Sequence, residues 1–185
     1  MNVIKTKIKD LLIIEPKVFG DERGFFYETF QSERYKAAGI NANFVQDNRS
    51  RSTKGVLRGL HFQKHKPQGK LVTVTEGQVF DVAVDLRPHS VTFGEYESTL
   101  LTGENKRQFY VPPGFAHGFC VLSDIADFQY KCTDYYDPND ESGLLWNDPS
   151  LAIQWPLDEP LLSDKDKAQP TLIEIKNKLL NGWDE

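Results

Sequence analysis

KLVTVTEGQVFDVAVDLRP, residues 70–88, decides the fold. Two runs rich in β-branched residues, Lys70–Thr75 and Gln78–Leu86, flank the turn signal Glu76-Gly77, and Arg87-Pro88 ends the second run. Runs of this length bounded by Gly and Pro read as strands, because branched side chains suit a pleated surface and crowd a helix. Working outward, the same texture recurs at Leu11–Glu15, Gly24–Phe30, Phe44–Asn48, Val56–Gln63, Phe93–Leu101, Arg107–Val111, Gly118–Leu122 and Ala126–Tyr135. Turn signals separate them at Gly20-Asp21, Lys66-Pro67, Gly103, Pro112-Pro113-Gly114 and Asp137-Pro138. This spacing predicts an all-β sandwich or barrel rather than alternating strand–helix units. Two helices are expected: Ser32–Ala38, with Ser32 as N-cap and Gly39 as stop, and about Pro170–Leu180, with Leu172, Ile175, Leu179 and Leu180 on one stripe. The polar stretch Pro156–Pro170 either folds over the barrel or hangs free.

The 185 residues suit one domain with a real core, and 39% hydrophobic against 26% charged residues excludes general disorder. A net charge of −5 argues against a nucleic-acid partner, which demands a basic face. The N-terminus lacks the apolar core of a signal peptide, and no stretch has the length of a membrane span. Cys120 and Cys132 sit in apolar stretches and read as reduced packing residues, so the expected compartment is the cytosol.

The chemistry-bearing side chains lie in these strands. In VLRGLHFQ (56–63), alternation puts His61 on the face of Leu57 and Gly59, and Arg58 on the other. For both to line one pocket the strand must bulge, and Gly59 is the natural place. A polar core histidine with a surface arginine is the competing reading, at about even weight. Lys70 shares a face with Val72 and Val74: a solvated strand end by default, or a buried cation if that face points inward. Asp81 and Asp85 share the face of Val79 and Ala83 and need partners to offset desolvation, His117 or an arginine being the candidates. Tyr130 shares a face with Phe128 and Cys132, and Tyr135 and Tyr136 follow with rings suited to stacking. The spacing P-x-G-x-x-H, Pro112 to His117, resembles the second half-motif of metal-binding cupins. Its H-x-H partner is missing, since the next histidine after His61 is His65, about 13 Å along a strand, so no metal site is expected.

Together these stretches resemble one family, the dTDP-4-dehydrorhamnose 3,5-epimerases of the cupin-type jelly roll. The matching segments are EPKVFGDERGFFYETF (15–30), FVQDN (44–48), VLRGLHFQ (56–63), QGKLV (68–72), VFDVAVDLR (79–87), ENKRQFYVPPGFAHGF (104–119), YKCTDYYDP (130–138) and LSDKD (162–166), covering about residues 1–170. The resemblance implies a single jelly-roll domain over residues 1–185 whose tail, from about 156, packs on or beside the barrel. It also implies cofactor-free inversion at C3 and C5, both α to the C4 ketone of dTDP-4-dehydro-6-deoxyglucose, as a step towards dTDP-L-rhamnose. Carried onto this chain, His61 is the base, Asp166 its orienting carboxylate, Lys70 the enolate stabiliser and Tyr130 the proton donor. Arg23, Glu28, Gln46, Asp47, Asn48, Arg58, His117, Glu141 and Lys165 are assigned to the nucleotide sugar, and Tyr136 to stacking on thymine. Arg23 and Arg58 make sense as diphosphate partners, because guanidinium forks match phosphate oxygens. A homodimer is implied, in which residues near the N-terminus reach the neighbouring pocket. The chain departs from the pattern at Pro112-Pro113, in loop Lys64–Gln68 and beyond Gln169, none of which removes a proposed catalytic group. The alternatives are a relative that inverts one carbon or isomerises a related keto sugar, a non-catalytic nucleotide-sugar barrel, and a metal-dependent cupin.

Overall fold

The computed structural model describes residues 1–182. In chain order its strands are β1 (Asn2–Lys5), β2 (Leu12–Glu15), β3 (Val18–Asp21), β4 (Gly24–Tyr27), β5 (Gln46–Thr53), β6 (Leu57–Gln63), β7 (Lys70–Glu76), β8 (Gln78–Asp85), β9 (Tyr96–Thr102), β10 (Gln108–Val111), β11 (Phe115–Val121), β12 (Ile125–Cys132) and β13 (Glu141–Gly143). Helices are few and short: α1 (Ser32–Ala37), α2 (Asp164–Lys167) and α3 (Leu172–Asn181). A six-stranded sheet, ordered β1-β2-β10-β7-β12-β5, faces a five-stranded sheet, ordered β13-β6-β11-β8-β9, and β3–β4 form a separate hairpin. Every pairing between named strands is antiparallel, which makes the architecture a jelly roll.

The opening stretch behaves as strands, yet its two runs do not pair with each other. β7 joins the six-stranded sheet and β8 the five-stranded one, so the Glu76-Gly77 turn carries the chain between sheets. Gly77 has φ +77°, and a Cβ there would lie 2.0 Å from the Ile125 carbonyl oxygen, so the crossing tolerates only glycine.

Apolar layers on three levels hold the sheets. Val72, Val74, Val79, Ala83, Phe109 and Phe128 belong to the cluster between them. Leu60, Val82, Val84, Leu144, Leu172 and Ile175 pack on the outside of the five-stranded sheet beneath α3. Leu12, Ile14, Tyr35, Ile40 and Tyr110 close the outside of the six-stranded sheet beneath α1. β11 is therefore buried at every residue, and its sequence reads as a continuous apolar run rather than an alternating one.

Several boundaries differ from expectation. The strand expected at Phe44–Asn48 begins at Gln46 and runs to Thr53; its polar sequence QDNRSRST suits an edge position, exposed on alternate residues. His117, just ahead of the strand expected at Gly118, lies within β11. The N-cap of α1 is Gln31 rather than Ser32: the longer Gln31 side chain accepts the Arg34 N–H at 2.6 Å. β1, β3, β13 and α2 were not expected from the sequence. The stretch before α3 folds over the barrel, where Leu161 takes two backbone hydrogen bonds, to Gly55 and Leu57. Among the described residues no helix is long and apolar enough to cross a membrane.

Candidate active site

The site begins with an irregularity in β6. Opposite β11, His61 pairs with His117 and Arg58 with Phe119, so three steps on β6 span two on its partner. That extra residue breaks the alternation and lets Arg58 and His61 line one cavity, as the sequence demanded of Gly59. Gly59 has φ +120°, and a Cβ there would come within 2.6 Å of Gly118 Cα. Two glycines, one on each strand, thus permit the close approach. The Gly59–Leu60 peptide is cis.

The cavity, about 530 Å³, lies between the sheets and is lined by Arg58, His61, Lys70, His117, Tyr130 and Asp166 among others. Asp166 reaches it from α2, on the strap that Leu161 anchors, and its Oδ1 lies 2.5 Å from His61 Nε2. Burial pushes the Asp166 carboxyl up, but hydrogen bonds from His61 and Ser163 and the charge of His61 outweigh it and hold the group below the usual carboxylate range. An ionised carboxylate only accepts, so Nε2 carries a proton towards it, and in the neutral imidazole Nδ1 is the bare nitrogen.

Facing it, Lys70 and Tyr130 project from the six-stranded sheet. The Lys70 Nζ lies 5.9 Å from the centre of the Tyr130 ring. Burial pushes the Lys70 ammonium down, opposed by the charges of Cys132, Asp81 and Glu141. Lys70 is half-buried and lines the cavity beside Tyr130, so the solvated-end reading gives way to a cation turned into the cavity. Burial also raises the Tyr130 phenol, which keeps it protonated at neutral pH. Behind His61, His117 Nε2 meets Asp81 Oδ1 at 2.8 Å with both side chains buried, the partnership expected for a buried strand aspartate. Burial pushes Asp81 up and His117 down. Asp85 finds its arginine, Arg87, at 2.7 Å.

The mouth is polar. Tyr136 donates to Glu141 Oε2 at 2.6 Å, and Lys165 pairs with the same oxygen. Gln46 accepts the Tyr136 N–H at 3.0 Å and donates to Asn48 at 3.2 Å. Three of the carried-over residues lie elsewhere. Asp47 points to the outer sheet face and pairs with Lys131 at 3.0 Å. Arg23 folds onto Asp21 at the tip of the β3–β4 hairpin, and Glu28 pairs with Arg34 at 2.8 Å. Two supporting serines were missed in the sequence: Ser52, which accepts from Arg58 Nε at 3.1 Å, and Ser163, which donates to Asp166 Oδ2 at 2.9 Å. The signal for the second was present as S-x-x-D, Ser163 to Asp166, a helix-cap pattern.

A carboxylate-oriented imidazole, a half-buried ammonium and a protonated phenol around one cavity of a jelly roll define an acid–base isomerase. The chain belongs to the dTDP-4-dehydrorhamnose 3,5-epimerase family, whose model matches residues 5–174. It is 57% identical to the dTDP-4-dehydrorhamnose 3,5-epimerase of Escherichia coli over 95% of this chain and 96% of that one. Among solved structures it superposes on the epimerase of Legionella pneumophila in complex with dTDP-4-keto-L-rhamnose with a TM-score of 0.94 and 59% identity, covering 98% and 97% of the two chains. A 3′-monoepimerase of Streptomyces bikiniensis in complex with dTDP-quinovose is also similar, with a TM-score of 0.88 and 34% identity over 97% of this chain and 92% of that one.

Proposed function

We propose that the chain inverts C3 and C5 of dTDP-4-dehydro-6-deoxyglucose to give dTDP-4-dehydro-L-rhamnose. One observation carries the reading: His61 and Asp166 approach the cavity from the five-stranded sheet and its strap, while Lys70 and Tyr130 approach from the facing sheet. His61 Nδ1 removes the proton α to the C4 ketone, and the electron pair of that C–H bond moves onto the carbonyl oxygen as an enolate. The Lys70 ammonium stabilises that oxygen, where negative charge develops in the transition state. The enolate then collapses, and the Tyr130 hydroxyl delivers a proton to the carbon from the opposite face. Solvent returns the proton balance of His61 and Tyr130 before the second carbon reacts. The chemistry runs without a cofactor, because the ketone itself makes both protons acidic and the residues supply base, acid and cation.

Arg58, His117, Gln46, Asn48, Glu141 and Lys165 are the residues we assign to the nucleotide sugar, with Tyr136, half exposed at the mouth, as the platform for the base. Arg23 and Glu28 fit a homodimer. The β3–β4 hairpin beside them exposes Phe19, Phe25 and Phe26, the last by 71%, a surface that a second copy would bury while Arg23 and Glu28 reach its pocket. Asp47 joins the same assignment from the outer face. Residues 1–185 act as one domain, and the reduced, buried Cys120 and Cys132 suit the cytosol.

The test is deuterium entry. Protein treated with EDTA is incubated with the nucleotide sugar in deuterium oxide and followed by NMR. Entry at both C3 and C5 is expected. Entry at one carbon only selects a monoepimerase, and no entry with nucleotide binding retained selects a binding barrel.

A further inference from the structure

The base of the cavity leans on a carboxylate that is itself held, and the holder is Ser163. This serine is the N-cap of α2, with Asp166 the third residue of the helix. It is engaged twice with the same partner. Its Oγ accepts the Asp166 backbone N–H at 3.1 Å, and its hydroxyl donates to Asp166 Oδ2 at 2.9 Å. The other oxygen, Oδ1, lies 2.5 Å from His61 Nε2.

Donors on both oxygens fix the plane of a carboxylate. With the Oδ2 donor removed, the group keeps its charge and loses the restraint on rotation about its side-chain bond. Oδ1 then meets the imidazole only part of the time, and the tautomer that leaves Nδ1 bare is no longer enforced. We propose that Ser163 is a positioning residue for the reaction, its hydroxyl hydrogen holding Asp166 so that His61 keeps Nδ1 free as the base. The inference rests on the reading of His61 as that base. Capping α2 is the competing role for Ser163, and the two roles use different atoms. The cap needs a lone pair on the side-chain oxygen, whereas positioning needs the hydroxyl hydrogen.

Three substitutions in the full-length protein separate them. Ser163→Thr keeps lone pair and hydrogen, Ser163→Asp keeps an acceptor and loses the donor, and Ser163→Ala loses both. A hydrogen bond to a charged group, shared here with water because Ser163 is exposed, sets the expected loss in Ser163→Ala at about tenfold in kcat for deuterium entry, with KM changed by less than about threefold. Ser163→Thr should restore kcat and Ser163→Asp should not. In parallel, the downfield proton resonance of the His61 Nε2–H···Asp166 bond should weaken or broaden in Ser163→Ala and return in Ser163→Thr. Restoration of kcat by Ser163→Asp as well as by Ser163→Thr would overturn the proposal in favour of capping alone. An unchanged kcat and resonance in Ser163→Ala would overturn it outright. Should the unaltered protein take up no deuterium, the epimerase reading is what fails, and the resonance still decides whether Ser163 positions the pair.

Discussion

Replacing Asp166 by Asn tests the centre of the mechanism while preserving its shape. The Asp166 side chain is only 6% exposed, and its 2.5 Å contact with His61 is a bond to a charged acceptor shielded from water. Such bonds contribute about 1.5–3 kcal/mol, which corresponds to roughly 10- to 150-fold in rate if the contribution is realised in the transition state. A second effect sets the upper end of the loss. An amide can turn its Nδ2 towards His61 Nε2, and the imidazole proton must then sit on Nδ1, the atom that has to be bare. The corresponding wrong-tautomer swap in a serine-protease triad costs about 10⁴-fold. The expected loss is therefore about 10²- to 10⁴-fold in kcat, with KM little changed, since the hydrogen-bond partners of the Asp166 side chain are His61 and Ser163. Single-turnover deuterium entry at C3 and C5, with circular dichroism as a check on folding, measures it. A folded Asp166→Asn protein that still exchanges both carbons within about tenfold of the unaltered rate would refute the assignment of Asp166 as the orienting group.

Other perturbations have defined outcomes. Lys70→Met removes the cation from the enolate oxygen and should lower exchange by about 10²- to 10³-fold, the scale of losing one oxyanion donor, while binding of dTDP measured by calorimetry persists. It should also raise the urea midpoint, because burial disfavours the ammonium at that position. Gly59→Ala places a Cβ 2.6 Å from Gly118 Cα at φ +120°, with backbone on both sides, and should cost roughly 2–4 kcal/mol in urea denaturation; an unchanged midpoint would show that the bulge is relaxed. Asp85 offers a pH test. Burial pushes its carboxyl up, but donation from Arg87, Thr92 and Ser90 brings it down to about 2. Its folded value lies below its unfolded one, so its contribution, of order 2–3 kcal/mol, is present above pH ~4 and fades as pH falls towards ~2. Asp85→Asn should therefore be destabilised against the unaltered protein at pH 7, and the gap should narrow in urea melts at pH 3.

The fold was legible where strands are apolar. The runs now seen as β7, β8 and β11 are rich in apolar residues because much of both sheet faces is covered, and such composition survives without any knowledge of partners. The elements that escaped are those stabilised from elsewhere. β13 has three residues and exists as the edge partner of β6, and α2 has four and is ordered by its serine cap and by His61. The turn at Gly77 was legible as a turn, but its destination was not, since a tight break between two strands normally makes a hairpin. In the site, the irregularity at Gly59 followed from alternation once Arg58 and His61 were taken to share a pocket, which a regular strand does not allow. The Asp166 partnership did not, because its two residues are 105 apart in sequence and nothing local marks the contact. It came only from resemblance.

The two-sheet architecture answers the requirement that the proposed inversion imposes. Removing a proton from one face of a sugar carbon and returning one to the other needs two groups on opposite walls. Residues on neighbouring strands of one sheet stand side by side, about 4.8 Å apart, and address the same face of anything lying above them. Residues from sheets stacked about 10 Å apart can address opposite faces. His61 on β6 and Tyr130 on β12 are such a pair, one from each sheet. A substrate ring between them must also present its diphosphate to a cation on the same strand as the base, and a regular β6 would turn Arg58 away. The additional residue at Gly59 removes that conflict. A single backbone irregularity thus sets the directions of Arg58 and His61 together. Substitution at Gly59 should consequently impair binding and proton abstraction together, whereas loss of Tyr130 or Asp166 should impair only the chemistry.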